Sequence, residues 1–566
     1  MVLPIVSIPN KIKVEDLISE YQKTYHEMPS REQINAWKSS LNFLVKAGID
    51  VPVIAELPIF GERADFVFVD GTNGLVVEMK GWKNIKVIDD YLVEADGKEE
   101  INPCYQVENY INKLNYFHSS GVQFEGVVVA YNAKNLPKLP CKVITDPKVL
   151  KAAINKYSPP DPKKVDDVVN GKFYIRDSLI KFLSNNKNQL LNKASQLLLS
   201  MGYGLSQDQA KLVHEVLSAL DKGEDKTFLV RGESGSGKTL VALTLLFEGL
   251  NKKYNTILAY KNNRLLNTLK RILDPLGGAT IRFYSTGRGF GVAEAGFTDP
   301  VDLVLFDEAQ RMRTSNIQIA MQRGRVRVFF YDESQILIGN EAGTRNNFLK
   351  YAKGNVTEYT LSSSYRENKN YLEWVRNLLW ENSSMAKDLG IEVKVFDNIN
   401  DLLSALDKKQ DRALICAFTE TNGKKLKERI GQAVSIYKNQ NVNVHVDWLM
   451  DPKKEYPIYW STKTRNLNKC ASVYGAQGFE AEYIGVIWGR DLIWRGGWDI
   501  NPNVITDEVG GKHSLKDIAQ KDKAKALDLL KNRYYVMLTR GIKGVYLYFE
   551  DDGTRDFIKN LLQSTP

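Results

Sequence analysis

The segment Phe228-Leu-Val-Arg-Gly232-Glu-Ser-Gly235-Ser-Gly237-Lys238-Thr239 joins an apolar run to a complete G-x-x-x-x-G-K-T. The apolar run predicts a strand, and residues 240–250 predict a helix directly behind the glycines. In that context Gly232, Gly235 and Gly237 let backbone N–H groups wrap phosphates at the positive end of the helix dipole. Lys238 would neutralise charge on the β- and γ-phosphates, and Thr239 would ligate Mg²⁺. ATP and Mg²⁺ are therefore the expected ligands here.

Residues 301–310 (VDLVLFDEAQ) form an apolar strand that ends in two carboxylates. An acid at such a strand end can reach a metal beside the glycine-rich loop. Asp307 is the expected Mg²⁺ partner, and Glu308 the group that orients and deprotonates an attacking water. A further apolar strand at 328–331 ends in Asp332-Glu-Ser-Gln335, where the amide of Gln335 can sense a γ-phosphate. Strands at 228–230, 257–260, 303–306 and 328–331 alternate with helical stretches, and a second series includes 413–418, 483–488 and 544–549. That alternation predicts α/β architecture with parallel sheets in two similar lobes. The lobes are expected over 201–358 and 359–566, with an insertion around 490–530.

The chain has 566 residues and 43% hydrophobic and 26% charged residues, an ordinary balance for a globular protein with several cores. The net charge of +9 is uneven. Residues 1–200 carry 25 Lys and Arg against 24 Asp and Glu, so nearly all the excess lies behind them, where a polyanionic partner is expected. Cys104, Cys141, Cys416 and Cys470 form no CxxC pair, which predicts neither a zinc site nor a disulfide framework and fits a reduced, cytoplasmic setting. No apolar run approaches the roughly 18–20 residues of a membrane span, and Met1 to Asn10 lack the basic start of a signal peptide.

The first 200 residues read differently. Residues 13–47 are expected to be helical, from the spacing of Leu17, Tyr21 and Tyr25, then Ile34, Trp37, Leu41 and Leu44. Extended runs follow at 51–58, 64–69 and 75–80, then a helix at 105–117 and a buried strand at 126–130. Asp65 opens one strand; Glu78 and Lys80 share one face of the next. Two carboxylates can hold Mg²⁺, or Mn²⁺, which lowers the pKa of a bound water. Lys80 can position that water or stabilise developing negative charge. Gln106 and Tyr110 share a helix face. Glu32 is a candidate for an additional acid.

Two resemblances follow from these ordered sets. The order Asp65, Glu78-x-Lys80, Gln106-x-x-x-Tyr110 resembles the PD-(D/E)xK nuclease superfamily, and Asn102-Pro103-x-x-Gln106 is similar to the nuclease-related domain of bacterial accessory proteins. This implies a restriction-endonuclease-like fold over 1–200, including a linker helix. From about 205 to 550 the motifs resemble superfamily 1 helicases with RecA-like lobes. In that resemblance Gln209 reads adenine, Arg366 and Arg540 point at the γ-phosphate, and Gln477, Gly478 and Glu480 match the fifth motif. Residues 483–491 (YIGVIWGRD) and 532–544 (NRYYVMLTRGIKG) look like the Schlafen-related bacterial helicases. The whole arrangement resembles bacterial nuclease–helicase immunity proteins, which act against phage.

Trp448, Trp460, Trp488, Trp494 and Trp498 can stack on single-stranded bases beside basic residues, or pack the second lobe. Residues 521–531 read as an amphipathic basic helix. The leading expectation is an ATP-dependent nuclease–helicase acting on DNA or RNA, single-stranded in the motor cleft. The alternatives are a motor with a binding-only nuclease fold and a nucleotide-switched signalling ATPase.

Overall fold

In the computed structural model, residues 3–25, 27–173, 190–273, 280–352, 355–362, 369–381, 389–417, 446–449, 453–462 and 464–563 are described, with Leu183 and Asn186. They divide into two compact units. Residues up to 173 together with 193–218 make one, and 219–362 with the described residues from 369 onward make the other. The residues expected to link the domains at about 200 thus pack with the N-terminal unit.

The N-terminal unit opens with β1 (Ile5–Ser7), α1 (Val14–Tyr25) and α2 (Arg31–Lys46). The stretch expected to be helical over 13–47 forms two helices. Pro29 disfavours helical backbone at the residue before it, and the Ser30 hydroxyl accepts from Gln33 N–H at 3.1 Å to start the second helix. Then come β2 (Val53–Ile59), β3 (Glu62–Val69), β4 (Asn73–Lys80), a small antiparallel sheet of β5 (Ile85–Val87), β6 (Leu92–Ala95) and β7 (Lys98–Ile101), α3 (Pro103–Phe117), β8 (Gln123–Ala130) and β9 (Val143–Ile144). The main sheet runs β1-β2-β3-β4-β8-β9, antiparallel up to β4 and parallel from β4 to β9. Trp37, Leu41 and Leu44 of α2 bury against Val53, Phe66, Val77 and Val129 of one sheet face. Further helices are α4 (Pro147–Ile154), α5 (Pro162–Val169), α6 (Leu190–Ser200) and α7 (Gln207–Asp221).

The other unit holds two parallel sheets. The first contains β10 (Lys226–Gly232), α8 (Lys238–Asn251), β11 (Thr256–Tyr260), α9 (Asn263–Ile272), β12 (Ile281–Phe283), β13 (Leu303–Phe306), α10 (Thr314–Ala320), β14 (Val326–Tyr331), α11 (Arg345–Tyr351) and β15 (Asn355–Leu361). Its strand order is β12-β11-β13-β14-β10-β15. The edge strand β15 runs past residue 358, so the division expected after 358 falls inside this sheet. All strands being parallel, the loops after β10, β12, β13 and β14 leave one edge, where ligands of such sheets bind.

The second lobe adds α12 (Lys369–Arg376), β16 (Glu392–Phe396), α13 (Ile399–Asp407), β17 (Arg412–Cys416), β18 (Asp447–Trp448), α14 (Glu455–Ser461), β19 (Lys469–Cys470), α15 (Val473–Ala476) and β20 (Ala481–Trp488). It continues with β21 (Leu492–Trp494), β22 (Trp498–Ile500), α16 (Leu515–Lys521), α17 (Lys523–Leu538), β23 (Gly541–Phe549) and α18 (Asp552–Gln563). Its sheet runs β16-β23-β20-β17, all parallel. The basic helix expected over 521–531 is two helices. Asp522 ends α16 and caps α17 through Lys525 N–H, and α17 buries Ala526, Leu529 and Leu530.

One expectation from the cysteines fails. Cys104 and Cys141 are joined by a disulfide, their Cα atoms 5.3 Å apart. The fold brings the first turn of α3 beside the approach to β9, which a sequence separation of 37 conceals. Cys416 and Cys470 are unbridged and buried.

An ion pair ties α7 to the small sheet: His214 Nδ1 meets Asp89 Oδ2 at 2.6 Å. The bond to Asp89 raises the His214 pKa, and burial only partly opposes it. A raised histidine value means the pair contributes fully below about pH 6.5 and is lost as pH climbs through the folded value. Asp89, whose pKa is lowered, sets the acid limit: its contribution disappears as pH falls through its depressed value. We expect hydrogen-exchange protection of 207–221, corrected for intrinsic rates, to drop in the native chain as pH climbs from about 6.5 through the raised folded value of His214. His214→Ala should flatten that dependence.

Candidate functional site

The glycine-rich loop sits between β10 and α8. Gly235 (φ +83°) and Gly237 (φ +82°, the helix N-cap) take left-handed backbone that turns their N–H groups inward, a conformation that penalises a Cβ. Lys238 is buried, and its ammonium donates to Gly232 O at 2.5 Å and Glu233 O at 2.9 Å. Thr239 Oγ1 donates to Asp307 Oδ2 at 3.0 Å. Tyr260, at the end of β11, donates to the same oxygen at 2.9 Å, and Glu308 N–H donates to Asp307 Oδ1 at 2.9 Å. Sequence reading missed Tyr260; its only signal is a hydroxyl closing an apolar strand.

Burial raises the pKa of Asp307, opposed by Tyr260 and Lys238. Burial and then the Asp307 charge raise that of Glu308. Glu308 has φ +54°, strained for a side chain with a Cβ, and Gln310 Nε2 donates to its Oε2. The hydroxyl of Thr239 and the carboxylate of Asp307 are hard oxygen donors beside the phosphate loop, a set that suits Mg²⁺.

The second lobe reaches this loop directly. Arg540 Nη2 donates to Ser234 Oγ at 2.7 Å, and its charge acts on Glu308. Arg376 pairs with Glu233 at 2.6 Å; nothing in the sequence distinguishes it from a solvated helix arginine. Arg366 lies outside the described residues. Gln335 donates to Asp332 Oδ2 at 2.8 Å, and its backbone oxygen accepts from Gln477 Nε2 at 3.2 Å. Gln335 Oε1 and Gln477 Oε1 are buried without a hydrogen-bond partner. Gly478 (φ +82°) faces Leu265, where a Cβ would come within 2.7 Å of the leucine Cδ2. Glu480 lies just before β20. Gln209 falls in the N-terminal unit, fully buried, its Oε1 accepting from Ser206 N–H at 3.0 Å.

A buried relay joins the lobes behind these residues. Arg533 of α17 donates to Leu337 O at 2.8 Å and to Tyr474 OH at 2.8 Å, and pairs with Asp507 at 2.7 Å. Glu341 accepts from Leu337 N–H at 2.8 Å and from Arg311 Nε at 2.9 Å. The loop after β14 is thereby held from both lobes, and Asp507 comes from the expected insertion.

In the N-terminal unit three acids share one rung of the sheet. Register pairs Phe66 with Val77 and Ala55 with Phe66, which sets Asp65 opposite Glu78 on one side and Glu56 on the other. Lys80 Nζ meets Glu78 Oε1 at 3.0 Å, and Asp65 Oδ2 accepts from Met79 N–H at 2.7 Å. Burial, then the Asp65 charge, raises the Glu78 pKa; burial also raises that of Asp65. Burial works against the Lys80 ammonium, but Glu78 and Asp65 outweigh it and raise its pKa. Glu78 Oε2 is buried with no hydrogen-bond partner, an orphaned acceptor that suits a cation.

Gln106 Nε2 donates to Tyr110 OH at 2.9 Å, and burial, with Glu62 and Glu78, holds that phenol's pKa well above its ordinary value. Glu56, missed in the sequence, has φ +59°, accepts from Trp37 Nε1 at 2.8 Å and pairs with Arg63 at 3.3 Å. Glu32, the candidate for an additional acid, is 87% exposed and lies 3.7 Å from Lys98. Among the described residues no group of three or more His, Cys, Asp or Glu is arranged to hold a metal ion.

The tryptophans pack the second lobe. Trp460 stacks on Phe479, Trp488 on Trp498, and Trp494 on Phe557 with centroids 3.7 Å apart. Their stacking partners are protein rings, which favours packing of the second lobe over base stacking, the two readings the sequence leaves open. Trp448 is also buried. Among the described residues no helix is long and apolar enough to cross a membrane.

An uncharacterized protein of Saccharomyces cerevisiae, YPL245W, is 24% identical over 438 residues, 65% of this chain and 92% of its own. Among solved structures, the arterivirus nonstructural protein 10 helicase is 12% identical with a TM-score of 0.30, over 61% of this chain and 64% of its own length. This chain thus spans less than two thirds of that helicase. The Candida albicans Pif1 helicase is 11% identical with a TM-score of 0.28, over 63% of this chain and 99% of its own. Residues 225–551, more than half of the chain, match the family described as Schlafen group 3, DNA/RNA helicase domain, and the chain belongs to that family.

Proposed function

We propose that the protein is an ATP-driven motor on single-stranded nucleic acid, joined to a nuclease that cuts with Mg²⁺ or Mn²⁺. The observation that carries the motor reading is the meeting of Lys238, Asp307, Glu308 and Arg540 around one phosphate loop. Glu308 would take the proton of the water that attacks the γ-phosphorus. The bond to the bridging oxygen breaks, and ADP and phosphate leave. Lys238 and Arg540 stabilise the charge on the transferred group. Thr239 and Asp307 would hold Mg²⁺, which neutralises phosphate charge when bound. Because Arg540 comes from the second lobe, hydrolysis is coupled to closure, and the Gln335–Gln477 and Arg533–Leu337 contacts pass the change between lobes.

The nuclease reading rests on the rung of Asp65, Glu78 and Lys80 with an orphaned Glu78 oxygen. Asp65 and Glu78 would hold the metal, and Lys80 would orient water or steady the departing charge. In this reading the nuclease-like domain comes first, the first lobe runs to the end of β15 at Leu361, and the second lobe follows. Gln209 would read adenine, Arg366 would join Arg540 at the γ-phosphate, and Gln477, Gly478 and Glu480 would line the cleft. The resemblance to bacterial nuclease–helicase immunity proteins supports a cytoplasmic role against phage.

The test is ATP hydrolysis and strand cleavage across single- and double-stranded DNA and RNA, with and without Mg²⁺. The expected result is ATPase stimulated at least about tenfold by a single strand, and Mg²⁺-dependent cutting. ATPase indifferent to every nucleic acid would favour the signalling alternative. Binding without cutting would favour the degenerate nuclease.

A further inference from the structure

Phe290 is 70% exposed, the most exposed of the large hydrophobic side chains among the described residues. It sits in Thr286-Gly-Arg-Gly-Phe290-Gly, the loop that leaves the edge strand β12 on the same sheet edge as the phosphate loop. A floppy loop would bury such a ring or let it wander. This one is cross-braced. The Glu294 carboxylate accepts from Thr286 N–H (3.1 Å) and Oγ1 (2.7 Å), Gly287 N–H (2.9 Å), Gly291 N–H (2.7 Å) and Ser285 Oγ (3.1 Å). Gly296 N–H donates to Gly289 O at 2.8 Å, and Ala293 N–H to Tyr284 O at 2.9 Å. Arg323 clamps the base through Val292 O (2.9 Å) and Glu294 O (2.7 Å).

Gly287 (φ +71°) and Gly289 (φ +91°) flank Arg288 in left-handed backbone with open space around them. The loop therefore spends glycine flexibility and a whole carboxylate on presenting one aromatic ring, with an exposed arginine two residues away. A rigid, exposed aromatic beside a cation matches the chemistry of an unpaired base next to its phosphate. A protein partner would need a wider apolar patch than one ring.

We propose that Phe290 is a stacking platform for a base of the single strand, with Arg288 on an adjacent phosphate. The inference rests on the motor reading above. It assigns the contact to the first lobe, on the sheet edge that also carries the nucleotide. Stacking on such a platform is sequence-tolerant, so bound strands of any base are accepted.

The test uses the full chain with fluorescein-labelled dT20 and rU20, read by anisotropy and by the concentration that half-stimulates ATPase. Phe290→Ala should weaken binding by about 5- to 100-fold, and Phe290→Trp should restore it. ATPase without nucleic acid should stay at the native level in both, which reports intact folding. Arg288→Ala should lower the salt slope of binding by about one ion, and Phe290→Ala should leave that slope unchanged. Native chain binding neither strand overturns the motor reading itself. Native binding with Phe290→Ala equally tight overturns the platform alone, as does a loss that Phe290→Trp fails to restore.

Discussion

Lys238→Ala should cut ATP hydrolysis by on the order of 10²- to 10³-fold, the effect of deleting one preorganised charge at a developing anion. The residue is buried at the first position of α8, with its ammonium confined to the loop's own carbonyls at 2.5 and 2.9 Å. Among the described residues the neighbouring arginines are already engaged: Arg540 is held by Ser234, Val536 and Thr539, and Arg376 by Glu233. Folding should survive, because a methyl side chain keeps the helix start and the lost bonds are to loop carbonyls. The check is steady-state phosphate release beside a thermal unfolding curve. Hydrolysis at the native rate would sink the site assignment.

The second large effect concerns the acidic rung. Asp65→Asn and Lys80→Ala should each reduce Mg²⁺-dependent cutting by on the order of 10³-fold, equivalent to several kcal/mol of transition-state stabilisation. ATPase should be unchanged in both. The argument is geometric. Asp65 and Glu78 are opposed across adjacent strands, Lys80 is 3.0 Å from Glu78, and the second Glu78 oxygen is orphaned. Glu56→Gln is the informative comparison. Its side chain is committed to Trp37 and Arg63, so the loss should stay below about tenfold. A cleavage assay on labelled strands settles the point: cutting by Asp65→Asn at the native rate would remove the nuclease from the proposal.

Legibility in the sequence followed locality. The phosphate loop was readable because its chemistry is contiguous: eight residues hold the glycines, the lysine and the hydroxyl, and the flanking apolar runs announce strand and helix. The strands at 303–306 and 483–488 were readable for the same reason, as uninterrupted apolar runs of a parallel sheet buried on both faces. Elsewhere local pattern was ambiguous. The 13–47 periodicity spans two helices because both present an apolar face to the same core, and only Pro29 and Ser30 mark the break. The tryptophans near 490 leave base stacking and core packing both open in the sequence, because an aromatic beside arginine reads alike on a surface and in a core. Ring contacts within the protein decide between them.

The sequence by itself determined a phosphate-binding α/β motor and a mixed N-terminal unit with an acid–lysine pair, because those signals are carried by neighbours in the chain. Tertiary structure decided the rest. It set Arg540 on Ser234 across 306 residues, lined up Glu56 with Asp65 through strand register, and joined Cys104 to Cys141. It also turned an unremarkable glycine-rich loop into a braced mount for Phe290. Each of these depends on which strands become neighbours, and that choice is made by burial of whole faces, a sum over distant residues that no local window contains.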